Sequence, residues 1–352
     1  MEKINNTLKN ILGVDPVIIN KTQARLDNLT KPLGSLGRLE ELAKQICGIT
    51  GKVNPSLANK VIFTLAADHG VTYEGVSAYP KEVTAQMVYN FIAGGAGINV
   101  LAKHVGARVV VVDIGVSADL KPDPKLRIKK INYGTKNMAK GPAMSREEAI
   151  KAIGAGIDLF EEELGRGIDI VGTGEMGIGN TTAASAITAS FTGSPVEKIT
   201  GRGAGLDHPG LKNKIEVIKR SLLLNKPDPA DPIDVLSKVG GFEIAGLAGI
   251  ILAAASHKTP VVIDGFISGA AALVAFKIEP KVKEYMIAAH KSQEEGHKII
   301  LEHIGLRPLL DLDLRLGEGT GGALGIGLAD AAIKILTQMA TFKSANVSEK
   351  NI

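Results

Sequence analysis

Two acids stand inside glycine-rich turns. Glu318 is the only charged side chain between Leu316 and Gly325 in "RLGEGTGGALG", and Glu175 interrupts the glycines of "GTGEMG" at residues 172–177. Either acid alone reads equally well as a polar turn residue. Two of them in such company suggest chemistry. Glycine lets a flat ligand approach the bare backbone, and a carboxylate that the ligand then screens from water has its pKa raised, which suits a general base.

The turn that carries Glu175 also leads into "IGNTTAASAI". Free backbone N–H groups, the positive end of a helix dipole and the small polar side chains of Asn180, Thr181 and Thr182 favour a bound phosphate there. Asn180 or Thr181 acting as a simple helix cap is the alternative. A second turn, "TGRGAGLDHPGLKNK", offers flexible backbone at Gly201 and Gly203, with Lys214 downstream to neutralise the same phosphate. Gly172, Gly174 and Gly177 do match the spacing of a dinucleotide fingerprint. The same spacing recurs at Gly317, Gly319 and Gly322, however, and the acid expected after a second strand is replaced by Glu197 following "FTGSP", so a dehydrogenase is not supported.

Other chemistries find less support. His290 and His297 share a helical spacing without an HExxH pattern, Glu294 and Glu295 between them fit a solvated face, and no metal site is expected. No GxSxG elbow or Ser-His-Asp order is present. Cys47 is the only cysteine and reads as a buried helix residue, which points to a reducing compartment.

Elements must bring these turns together. The 352 residues are 45% hydrophobic and 22% charged, enough for a large core. A net charge of +4, 4% aromatics and no Trp argue against nucleic acid as a partner. The N-terminus lacks the apolar core of a signal peptide, and the longest apolar stretch, Ile244 to Ala255, is short of the ~20 residues of a bilayer span, so no membrane partner and a cytoplasmic location are expected. "KVIFTLAADHG", "ARVVVVDIG", "IDIVGTGEMG" and "PVVIDGF" each read as a buried strand running into a polar turn. Helical patterns at Val83–Phe91, Glu147–Leu164, Thr181–Phe191 and Phe242–Ala255 lie between them, with a further helix entered at Gly34 and Ser35 and a closing one from about Leu328 to Phe342. Strand alternating with helix predicts an α/β fold with a mostly parallel sheet flanked by helices, and His69, Asp113, Glu175 and Asp264 collecting beyond the carboxyl ends of its strands.

Seven segments in order, "LTKPLGSLGRLEELA", "AADHGV", "EGVSAYPKEVTAQMV", "GTGEMGIGNTTAASA", "DVLSKVGGFEIAGLAG", "VVIDGFISGAAAL" and "RLGEGTGGALG", resemble the nicotinate-nucleotide:dimethylbenzimidazole phosphoribosyltransferase family from about Thr22 to about Met339. The resemblance implies a reaction without cofactor: the phosphoribosyl group of nicotinate mononucleotide passes to dimethylbenzimidazole or a related base, giving α-ribazole phosphate and nicotinate for the lower ligand of cobalamin. It implies a homodimer with a Rossmann-like large domain, about 31–327, and a small helical domain from both chain ends, about 1–30 and 328–352. Glu318 matches the catalytic base, and Glu175 a second carboxylate whose negative charge would stabilise an oxocarbenium-like transition state. Gly177, Asn180, Thr181, Gly203, Lys214 and Ser292 match positions near the nucleotide phosphate, and Tyr79, Gln86 and Met87 match the region of the base pocket. A mononucleotide glycohydrolase and a noncatalytic nucleotide sensor are the competing readings.

Overall fold

The computed structural model describes residues 1–348, so residues 349–352 of the expected C-terminal share of the small domain lie outside the described residues. Six strands form one sheet: β1 (Lys60–Ala67), β2 (Ala107–Gly115), β3 (Leu126–Ile128), β4 (Ile170–Met176), β5 (Val261–Ile263) and β6 (Met286–Ala288). All pair in parallel, in the order β3-β2-β1-β4-β5-β6. The expected α/β class is observed.

The apolar run of β1 is continuous because both of its faces are covered. Val61, Phe63 and Leu65 enter one core with the helices Arg146–Leu164, Phe242–Ser256 and Phe266–Ile278. Ile62 and Ala66 enter the other with Arg38–Thr50, Gly97–Val105 and Thr320–Gln338. Alternate side chains of a strand point to opposite faces, so one eight-residue strand serves two helical layers.

Two boundaries differ most from the sequence reading. The helix expected to start at Gly34 and Ser35 begins at Arg38 with Gly37 as its N-cap, because residues 34–37 form a turn instead. The closing helix runs from Thr320 to Gln338, starting eight residues before Leu328, since the glycines after Glu318 continue directly into it. By length and composition this helix, rather than the stretch at Ile244–Ala255, is apolar enough to cross a bilayer, yet more than half of it is buried inside the fold. Strands β3 and β6 have only three residues each and carry no long β-branched run, which is why the sequence does not announce them.

The two chain ends meet. Leu29 forms an antiparallel bridge with Thr341, the Arg25 guanidinium donates to the Leu336 carbonyl at 2.6 Å, and Thr30 N–H donates to Ala340 at 3.0 Å. Cys47 is fully buried in Arg38–Thr50, and burial raises its thiol pKa.

Candidate active site

The strand order reverses between β1 and β4, and a crevice opens at that switch point beyond the carboxyl ends of the strands. Glu318 is not itself in its lining but follows directly on Arg315, Leu316 and Gly317, which are. The Thr64 hydroxyl on β1 donates to the Glu318 carbonyl at 3.0 Å, and a Cβ on Gly174 of β4 would lie 2.2 Å from that carbonyl oxygen. Only glycine lets the turn rest on the strand. Glu318 itself has φ +64°, a left-handed conformation that costs a non-glycine residue about 1 kcal/mol or more. Gly319 N–H and Gly322 N–H meet that demand by donating to the Asp264 carboxylate at 3.2 and 2.9 Å, tying the first turn of Thr320–Gln338 to the end of β5.

The Glu318 side chain is buried, and Oε2 accepts the Ile98 N–H at 3.0 Å. Oε1 has no hydrogen-bond partner among the described residues. Burial pushes its pKa above the ordinary 4.5, with Asp264 adding to the rise and the Ile98 and Gly97 N–H groups opposing it. One fixed oxygen and one free oxygen of raised basicity describe a carboxyl group able to take a proton from a ligand.

Glu175, the penultimate residue of β4, lines the crevice. A Cβ on Gly317 would lie 2.5 Å from Glu175 Oε1, so the two acidic turns touch through a missing side chain. Asn180 Nδ2 donates to Glu175 Oε2. Burial, reinforced by Asp264, Glu243 and Glu318 and opposed by Asn180, raises the Glu175 pKa to about 8. Near neutrality the group therefore favours its protonated form, and positive charge placed beside it would favour the carboxylate.

Around the corner lies a group of small and polar residues. Gly177, Asn180, Thr181, Gly203 and Ser292 line one cleft with Glu175. Gly179, at φ +93°, is the N-cap of Asn180–Thr192 and has no side-chain cap, which leaves the Asn180 amide for Glu175 and Thr181 for Lys214. The capping alternative therefore fails for both residues. Lys214 is fully buried beneath the cleft, where Nζ donates to Thr181 Oγ1 at 2.8 Å and to the Gly201 carbonyl at 3.3 Å. Burial lowers its pKa to about 8 while Glu294 pulls it back up. Such a buried ammonium, bonded to two neutral acceptors, has no carboxylate in direct hydrogen-bond contact among the described residues.

Several readings need correction. Glu294 is not on a solvated face: it is buried, and its carboxylate accepts the Gly203 N–H at 2.9 Å, because the chain bends inward at Ser292 before Glu295–Ile304 begins. His297 accepts the Ser292 N–H on Nδ1 and burial holds its pKa down near about 3, so it stays neutral. His69 turns away from the crevice to meet Glu243 at 2.7 Å, and Asp113 pairs with Lys130 at 3.0 Å. Of the four strand-end residues, Glu175 alone lines the cleft. Tyr79 and Gln86 are exposed and Met87 is half-buried against the core beneath Val83–Ala93, all outside the cleft lining. Arg315 and Phe266, which the sequence reading does not single out, do line it. Arg315 lies within reach of that reading, three residues before Glu318 in the same motif.

The chain resembles known proteins along nearly its whole length. A family model described as Phosphoribosyltransferase matches residues 11–347. The chain is 58% identical, over 99% of each sequence, to the nicotinate-nucleotide–dimethylbenzimidazole phosphoribosyltransferase of Geobacter sulfurreducens, and equally so to that of Desulforudis audaxviator. The crystal structure of CobT from Thermus thermophilus superposes with a TM-score of 0.92 at 45% identity, covering 95% of this chain and 100% of that one.

Proposed function

The chain belongs to the nicotinate-nucleotide–dimethylbenzimidazole phosphoribosyltransferase family, and from that premise we propose that Glu318 is the base of the transfer. The enzyme moves the phosphoribosyl group of nicotinate mononucleotide to dimethylbenzimidazole, releasing nicotinate and forming α-ribazole phosphate, a step in cobalamin assembly. Nicotinate on ribose is a pyridinium and leaves without being protonated. What the protein must supply is removal of the azole N–H proton as the other ring nitrogen attacks the anomeric carbon with inversion, in a crevice that keeps water out. The observation that carries the assignment is the free Oε1 of Glu318, on a buried carboxylate whose other oxygen is pinned by Ile98.

Glu175 changes its state with the ligand. The pyridinium and the oxocarbenium-like transition state place positive charge beside it, which lowers its pKa and favours a carboxylate facing the ribose. Thr181, Gly203, Lys214 and Ser292, with the backbone near Gly177 and Asn180, hold the phosphate, and Lys214 regains its full charge there. Tyr79, Gln86 and Met87, which lie outside that cleft lining, are assigned to the acceptor base. We assign the enzyme to the cytoplasm as a homodimer, and divide it into 31–327 and the joined ends 1–30 and 328–352. The bridge between Leu29 and Thr341 and the free thiol of Cys47 support these assignments.

Nicotinate release from nicotinate mononucleotide, measured with and without dimethylbenzimidazole, tests the reading. Release only with the base is the expected result. Equal release without it means hydrolysis, and no release in either case means a nucleotide sensor.

A further inference from the structure

Glu294 stands where an incoming anion belongs. Its Oε1 accepts the Gly203 N–H at 2.9 Å, while Oε2 is buried without any hydrogen-bond partner among the described residues. A Cβ on Gly201 would fall 2.0 Å from Oε2, so the carboxylate is wedged into the Gly201–Gly203 turn itself. Glu294 N–H reaches the Ser292 hydroxyl at 3.3 Å, and both residues line the cleft with Thr181 and Gly203. Beneath them the buried Lys214 ammonium has only Thr181 Oγ1 and the Gly201 carbonyl as acceptors among the described residues, and the negative potential acting on it comes from Glu294.

We propose that Glu294 is an internal substitute for the substrate phosphate, holding the Gly203 N–H and balancing Lys214 in the empty enzyme, and turning out of the turn when the mononucleotide binds. The proposal rests on the reading of Thr181, Gly203, Lys214 and Ser292 as the phosphate cradle. The single Gly203 N–H is already held by the carboxylate, so an incoming phosphate would find there only a weaker, shared bond. A carboxylate and a phosphate packed within a few ångströms also repel strongly in a poorly hydrated cleft. The phosphate must therefore displace the carboxylate, and the enzyme's affinity is reduced by the stability of the self-occupied state. The arrangement makes Glu294 a specificity residue: a nucleoside without phosphate brings nothing that can replace the carboxylate at Gly203 and Lys214, so it leaves the cleft self-occupied.

A fixed structural role predicts the opposite sign. If Glu294 merely held the Gly201–Gly203 turn in shape for phosphate, removing its charge would weaken binding. Calorimetric titration with inorganic phosphate, and the KM for nicotinate mononucleotide, are compared in the wild type, Glu294→Gln, Glu294→Asp and Lys214→Met. Glu294→Gln keeps an acceptor for Gly203 but loses the charge, and should bind phosphate about 10-fold more tightly, with a parallel fall in KM. Glu294→Asp keeps the charge but withdraws it from Gly203, and should give a smaller gain. It also preserves the test if the Gln variant fails to fold. Unchanged or weaker phosphate binding in the folded Glu294 variants, with Lys214→Met weakened, overturns the substitute role and leaves the cradle standing. Wild-type phosphate affinity in Lys214→Met overturns the cradle, and the substitute role with it.

Discussion

Glu318→Gln separates the chemistry of the crevice from its architecture. The amide can turn its carbonyl oxygen to the Ile98 N–H that Oε2 now accepts at 3.0 Å, placing the NH2 group where the free Oε1 stood. Exchanging a charged for a neutral acceptor loses about 1 kcal/mol. Removing a buried carboxyl of raised pKa works in the other direction. A carboxyl whose folded pKa exceeds its unfolded value lets the folded chain hold a proton that the unfolded chain releases. Its contribution to stability therefore falls as pH climbs above the ordinary 4.5, and the variant is spared that loss. The two effects offset, so the melting temperature at neutral pH should move by only a few degrees. The rate should fall by roughly 10²- to 10⁴-fold, the span of a lost general base and about 3–5 kcal/mol of barrier. The assay is α-ribazole phosphate formation across a series of benzimidazoles of graded N–H acidity. The defect should shrink as the acceptor becomes an anion at the assay pH, because no proton then needs removal. The wild-type acid limb, set by Glu318, should lie above the ordinary carboxylate range and vanish in the variant. Near-normal turnover with dimethylbenzimidazole, or equal impairment for every acceptor whatever its acidity, would refute the base assignment.

The same geometry fixes four further outcomes. Lys214→Ala should raise the KM for the mononucleotide more than it lowers kcat, because the phosphate is remote from the breaking bond; initial-rate kinetics at saturating base decide it. In the wild type, phosphate affinity should drop as pH rises through about 8, where the empty cleft lets Lys214 lose its proton, and calorimetry in buffers of different ionisation enthalpy should show proton uptake on binding. Glu175→Gln should slow transfer yet stabilise the fold at pH 8 by up to a few kcal/mol relative to pH 5, since the wild-type carboxyl, with a folded pKa of about 8, becomes steadily more costly as pH rises above 4.5; chemical denaturation at the two pH values reads the sign. Gly174→Ala should abolish folding or cost several kcal/mol, because its methyl would stand 2.2 Å from the Glu318 carbonyl, and the melting temperature reports it.

The sheet was legible because its central strands are long and apolar on both faces. Val61 to Ala67 and Val109 to Ile114 leave few alternatives to buried parallel pairing. The edges were not, since the three residues of β3 or β6 form a strand only when a neighbour is already in place. The turns of Glu175 and Glu318 are unusual enough to stand out in the sequence, but their contact through Gly317 is a fact of three dimensions. Glu294 shows the limit most plainly. Its neighbours Gln293 and Glu295 are exposed and polar, and nothing in the local pattern distinguishes the one acid whose carboxylate turns inward to Gly203. Lys214 stands out by its charge alone, whereas its burial depends on contacts with Thr181, outside its own segment, as well as with Gly201 within it.

The seating of the Glu318 turn on the strands bears on how this enzyme can change over evolutionary time. Its carbonyl is held by Thr64 on β1, its flanking amides by Asp264 at the end of β5, and it lies against Gly174 on β4. A segment with no regular structure of its own is thereby fastened to three adjacent strands, and it can open only when the sheet opens. Drift in this turn is coupled to the survival of the whole fold, so most substitutions there are eliminated for misfolding before their effect on turnover is ever tested. Tyr79 and Gln86 are exposed and carry no such constraint. On the proposed assignment of these residues to the acceptor base, new acceptor preferences have an open route there, while the reaction itself is inherited with the scaffold.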